Sequence, residues 1–91
     1  MNKRLHIYYS GFVQGVGFRY TAQSVACSLG IAGWVKNLSD GRVEIVCEGT
    51  GPDLNEFLDK LKDMFNLRIE DVRIEQEDSS GKLEGFEIKS F

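Results

Sequence analysis

Gly11-Phe12-Val13-Gln14-Gly15-Val16-Gly17-Phe18-Arg19 is the stretch in which the chain changes its hydrophobic period. Before it, Leu5, Ile7 and Tyr9 alternate with His6, Tyr8 and Ser10, the pattern of a strand over residues 3–12 with two distinct faces. After it, Phe18, Ala22, Val25, Ala26 and Leu29 recur at helical spacing, and Gly30 stands where a helix needs a left-handed C-terminal cap. A glycine-rich loop that joins a strand to a helix start is built to cradle an anion. Its glycines let successive backbone N–H groups converge, the helix start adds unpaired donors and a positive dipole end, and Arg19 adds a forked, permanently charged donor set. Phosphate and carboxylate are the guests such a loop suits.

The elements on either side complete the fold. Residues 32–37 read as a second strand and 43–48 as a third, with Val43, Ile45 and Cys47 on one face and Ser39-Asp40-Gly41 as the hairpin turn between them. Gly51-Pro52-Asp53 opens a second helix with a buried stripe of Leu54, Phe57, Leu58, Leu61 and Phe65. Residues 69–77 make a fourth strand, its charged side chains solvated and Val72 and Ile74 facing inward, and residues 86–91 make a short last strand after the turn Asp78-Ser79-Ser80-Gly81. The order β-α-β-β-α-β with an added C-terminal strand predicts an α+β, ferredoxin-like sandwich: an antiparallel sheet with two helices on one face, over a single domain spanning residues 1–91. A right-handed crossover makes the first two strands parallel, with the third between them. Their C-terminal ends then meet at one end of the sheet, which brings Asn37 to the glycine loop although 18 positions separate it from Arg19.

Composition narrows the function. A chain of 91 residues with 42% hydrophobic content suits one small core, so function belongs on its surface. A net charge of −3 and a pI near 5.1 argue against a nucleic-acid partner. The aromatic residues Tyr8, Tyr9 and Trp34 come without a basic excess, so they read as sheet packing, not as a base-stacking platform. Residues 5–12 alternate and include His6 and Ser10, which fits neither a signal peptide nor a membrane span, so a cytoplasmic monomer without a membrane partner is expected. Cys27 and Cys47 lack zinc-site spacing and companion histidines and read as reduced thiols. Helical phase turns Cys27 to solvent, and strand alternation buries Cys47 beside Val43 and Ile45.

Two segments together resemble the signatures of the acylphosphatase family: Val13-Gln14-Gly15-Val16-Gly17-Phe18-Arg19, and Gly33-Trp34-Val35-Lys36-Asn37-Leu38-Ser39-Asp40-Gly41-Arg42-Val43-Glu44. Phe86 and the overall length fit the same family. The resemblance implies hydrolysis of the carboxyl–phosphate bond of a small acyl phosphate, yielding a carboxylate and inorganic phosphate by direct attack of an oriented water. It implies that Arg19 and Asn37 are the catalytic pair, with Arg19 binding the phosphate and Asn37 holding the water. The backbone N–H groups of Gln14, Gly15, Val16, Gly17 and Phe18 are expected to complete the phosphate-binding loop. No general base belongs to either segment, and His6 lies early in the first strand. The family's solution is that the substrate's own phosphate takes the proton, with no metal and no cofactor. Where some family members carry a hydroxyl residue after the asparagine, this chain has Leu38, followed by Ser39. The competing expectation is a non-catalytic anion-binding or regulatory module on the same fold.

Overall fold

The computed structural model of the chain describes residues 2–90. Its elements are β1 (Asn2–Gly11), α1 (Phe18–Ser28), β2 (Ala32–Asn37), β3 (Val43–Thr50), α2 (Gly51–Phe65), β4 (Ile69–Asp78) and β5 (Phe86–Lys89). The end of the expected last strand at Phe91 lies outside the described residues. One five-stranded sheet runs in the order β4-β1-β3-β2-β5. β3 pairs antiparallel with both β1 and β2, so those two are parallel, as the helical crossover requires.

The register sets out the core in rows. Leu5, Cys47 and Gly33 lie opposite one another across β1, β3 and β2; Ile7, Ile45 and Val35 form the next row; Tyr9, Val43 and Asn37 form the third. Directly opposed residues share a face. The apolar members of these rows pack against Phe18, Ala22, Val25 and Ala26 of α1 and Leu54, Phe57, Leu61 and Phe65 of α2 in one buried cluster. The helix stripes read from the spacing are therefore the ones that are buried, with Leu29 and Leu58 at the margin. Gly30 has φ +69° and ends α1 as expected, while the Ile31 N–H reaches back to the Ala26 carbonyl at 2.9 Å. α2 begins at Thr50, whose side chain accepts from the Asp53 N–H at 3.2 Å, with proline in the first turn behind it.

Two expectations are corrected. Val72 and Ile74 stand opposite Tyr9 and Ile7 and so point to the helix side, but they remain 41% and 46% exposed. β4 is an edge strand, and the helices pack over β1, β3, β2 and β5, leaving it only partly covered. The sheet is also mixed, because β5 runs parallel to β2. β4 finishes beside Lys3, at the end of the sheet where β2 starts, and the connection over residues 79–85 runs along that end, so β5 must leave it in the same direction as β2.

Glu48 on the central strand holds that connection. Its carboxylate accepts from the Ser79 hydroxyl at 3.0 Å, the Ser80 N–H at 2.8 Å, the Ser80 hydroxyl at 2.9 Å and the Gly81 N–H at 3.2 Å. Burial pushes this carboxyl up, and the hydrogen bonds from Ser80, Ser79 and Gly81 outweigh it and hold it below the ordinary glutamate value. Also on the helix-free face, the His6 ring nitrogen Nε2 meets Glu44 Oε2 at 2.6 Å, and the Tyr8 hydroxyl donates to the same oxygen at 3.2 Å. Among the described residues no helix is long and apolar enough to cross a membrane.

Both cysteines are free, Cys27 exposed and Cys47 buried, as phase and alternation predict. Burial pushes the Cys47 thiol up to about 12, so little thiolate forms there near neutrality. Alkylation of the native protein followed by mass measurement is expected to add one label rapidly at Cys27, with the second added only on unfolding. Rapid double labelling would show that the β3 face is not sealed by the helices.

Candidate active site

The loop between β1 and α1 is anchored where it leaves the sheet. The Phe12 N–H donates to the Arg68 carbonyl at 2.9 Å, and Val13 is buried in the core. Gly15 and Gly17 then adopt φ of +76° and +80°, a left-handed backbone that no non-glycine residue of the described chain shares. Gly17 is the N-cap of α1, and no side chain caps that helix; its first turn also carries no acidic residue. Intrahelical bonding begins with the Thr21 N–H to the Gly17 carbonyl at 3.0 Å, so the amides of Phe18, Arg19 and Tyr20 have no intrahelical partner. Unpaired donors at a positive dipole end, beside a guanidinium, make an anion site.

Asn37 approaches the same place from the sheet. Strand alternation puts Gly33, Val35 and Asn37 on the helix side, and Asn37 occupies the end of the Tyr9–Val43–Asn37 row, next to the start of α1. It is only 9% exposed, and its Oδ1 accepts no hydrogen bond from the described residues.

A cleft of about 220 Å³ lies between these parts, lined by Val13, Gly15, Gly17, Phe18, Arg19, Tyr20 and Asn37. The structure thus brings together Arg19, Asn37, Gly15, Gly17 and Phe18 of the predicted set. Gln14 and Val16 contribute differently. The Gln14 side chain turns to the β2–β3 turn, where its Nε2 donates to the Leu38 and Arg42 carbonyls, and Val16 packs against the core. Val13 and Tyr20 are cleft residues that the sequence reading did not single out. For Tyr20 the signal was available, since it follows Arg19 on a helix whose buried face is set by Phe18.

The surrounding charges are committed elsewhere. Arg42 donates from Nε to Asp40 at 2.8 Å and lies 4.8 Å from the centre of the Tyr8 ring. The Arg42 amide and guanidinium hold the Asp40 carboxyl below its usual value. Lys89 sits over the Trp34 ring. His6 is on the opposite face of the sheet, engaged with Glu44, and among the described residues no histidine or carboxylate lines the cleft. Among the described residues, no group of three or more His, Cys, Asp or Glu side chains is placed to hold a metal.

The acylphosphatase family model matches residues 5–88. An acylphosphatase of Rubrobacter xylanophilus is 43% identical over 88 residues, covering 96% of this chain and 80% of its own. An acylphosphatase of Thermus thermophilus is 44% identical over 86 residues, covering 93% and 97%. Among solved structures, the acylphosphatase from Bacillus subtilis superposes with a TM-score of 0.88 at 36% identity, over 96% of this chain and 98% of that one.

Gly17 and Gly30 separate backbone strain from anion binding. Both have positive φ, and an added Cβ would meet no atom within 4 Å at either. Each alanine replacement is expected to cost about 1–2 kcal/mol of stability. Only Gly17→Ala is expected to reduce the rise in Tm produced by inorganic phosphate, because only there do the shifted amides face the cleft. An undiminished phosphate effect in Gly17→Ala would remove the helix start from the anion site.

Proposed function

This chain belongs to the acylphosphatase family, and we propose that Arg19 and the loop amides of residues 14–18 hold the phosphoryl group of an acyl phosphate while Asn37 orients the attacking water. The observation that carries this reading is the meeting, in one cleft, of an uncapped helix start bearing Arg19 with the Asn37 amide at the end of β2. The guanidinium offers two parallel N–H bonds to phosphoryl oxygens, and the amides at the start of α1 take the others. The Asn37 amide, with one acceptor and two donors, orients the water so that an oxygen lone pair is aimed at phosphorus.

The new bond joins the water oxygen to phosphorus as the bond from phosphorus to the acyl oxygen breaks. The electron pair leaves with the carboxylate. Carboxylates are weak bases with acid pKa values of roughly 4, so the leaving group needs no proton from the protein. An asparagine amide orients water but cannot deprotonate it, and among the described residues no other side chain lining the cleft is a histidine or a carboxylate. The water's proton therefore passes to a phosphoryl oxygen of the substrate itself. A loose transition state with charge spread over those oxygens asks the protein for positioning and fixed positive potential, both of which the cleft supplies. Arg19 and the amides balance the phosphoryl charge without a metal or cofactor.

In this reading the chain acts as a single-domain, monomeric enzyme of the cytoplasm, with a small-molecule substrate and no nucleic-acid or membrane partner. Two free thiols and a net charge of −3 support that setting.

Turnover of benzoyl phosphate tests the assignment. Arg19→Ala is expected to lose about 3 kcal/mol or more of transition-state stabilisation, and Arg19→Lys to recover little of it, since a point charge does not reproduce the fork. Asn37→Ala is expected to depress kcat far more than it weakens inhibition by inorganic phosphate. Dialysis against a chelator is expected to leave turnover unchanged. A folded protein that binds phosphate but releases none from benzoyl phosphate would instead be a non-catalytic anion-binding module.

A further inference from the structure

The side-chain amide of Gln14 bridges the two halves of the cleft, and we propose that this bridge makes Gln14 a positioning residue for the reaction, a role that rests on the assignment of Arg19 and Asn37 above. Gln14 lies between Val13 and Gly15, both cleft residues. Its Nε2 donates to the Leu38 carbonyl at 2.7 Å and to the Arg42 carbonyl at 2.9 Å, so both amide hydrogens are used. Both neighbours are carbonyl oxygens, and only the nitrogen end of the amide suits them.

Those carbonyls bracket Asn37. Leu38 follows it in the chain, and Arg42 immediately precedes Val43, its partner across the strands. They are already joined through the turn, the Leu38 N–H to the Arg42 carbonyl at 2.8 Å and the Gly41 N–H to the Leu38 carbonyl at 3.1 Å. Gln14 thus grips a rigid closed turn. The loop's backbone tie, from the Phe12 N–H to Arg68, lies toward β4, on the far side of β1 from Asn37. Within the loop, Gly15 and Gly17 carry no side chain that could reach the β2–β3 turn. Val13 and Val16 on either side pack into the core, and the Gln14 amide adds the hydrogen-bonded link from the phosphate-holding loop to the strand end that holds the water.

The reaction makes that coupling matter. Water on Asn37 must lie in line with a phosphorus held by a different element, and a misplacement of about 1 Å costs on the order of 10²-fold in rate. Gln14→Met keeps the length of the side chain and removes both donors. Each carbonyl retains its bond within the turn, so the variant is expected to fold with a modest loss of Tm.

Four proteins decide the matter: the parent chain, Gln14→Met, Asn37→Ala and the double variant, each assayed for kcat with benzoyl phosphate, for inhibition by inorganic phosphate and for Tm. Gln14→Met is expected to lower kcat about 10- to 100-fold while phosphate inhibition stays within about threefold. The double variant is expected to be no slower than Asn37→Ala, because Gln14 acts through the water that Asn37 holds. If the two losses multiply, or if Gln14→Met lowers Tm and leaves kcat intact, the positioning role is overturned. A parent-like kcat in Asn37→Ala would instead strike down the underlying assignment of Asn37, and the role of Gln14 with it. If Gln14→Met does not fold, Gln14→Asn, which keeps the amide one methylene short, takes its place in the same cycle with the same outcomes.

Discussion

The antiparallel register of β3 between β1 and β2 is the constraint on which the site depends. It lines up Tyr9, Val43 and Asn37 across three strands, and so places an amide where the two rows behind it carry side chains of the core. A shift of one residue in either pairing would turn Asn37 to the helix-free face, because side chains alternate with period two. The same shift would bring Val35 and Ile45 out of the core, at roughly 1.5–3 kcal/mol for each buried aliphatic side chain. The position of the Asn37 amide is thus secured by the hydrophobic rows behind it.

The two helices show how differently the fold treats their starts. α2 has a Thr50 cap, proline in the first turn and Asp53 facing the dipole, an arrangement that satisfies donors and neutralises charge. α1 has a glycine cap, no side-chain acceptor and no acid. A glycine in place of a hydrogen-bonding cap costs roughly a few tenths of a kcal/mol, and the α1 start carries that cost. Together with the Asn37 amide that lines the same cleft, this leaves donors without an intrahelical partner beside a polar side chain. Preorganised groups of this kind need no rearrangement as charge develops, which is what the proposed base-free mechanism asks of the cleft.

Much of this was legible in the sequence, for a physical reason. The rows of β1 and β3, the stripes of both helices, the Gly30 cap and the opposite burial of Cys27 and Cys47 all follow from local periodicity, which residues report within a few positions of themselves. The meeting of Arg19 and Asn37 followed from topology, since a right-handed crossover leaves few places for the end of β2. What was not legible depended on contacts between distant segments. The exposure of Val72 and Ile74 reflects where the helix layer stops, not the alternation of β4. The direction of β5 follows from the path of residues 79–85, held by Glu48 from more than 30 positions away. Gln14 read as one more loop residue because its partners, Leu38 and Arg42, become its neighbours only after the sheet has formed.

The account turns on one chemical statement: water held by Asn37 attacks phosphorus, not the acyl carbon. Hydrolysis of benzoyl phosphate in ¹⁸O-labelled water, with both products analysed by mass spectrometry, tests it directly. The account predicts that one labelled oxygen enters inorganic phosphate and none enters benzoate. Label in the benzoate would mean attack at carbon, and would contradict a cleft that grips the phosphoryl group to present phosphorus to the water.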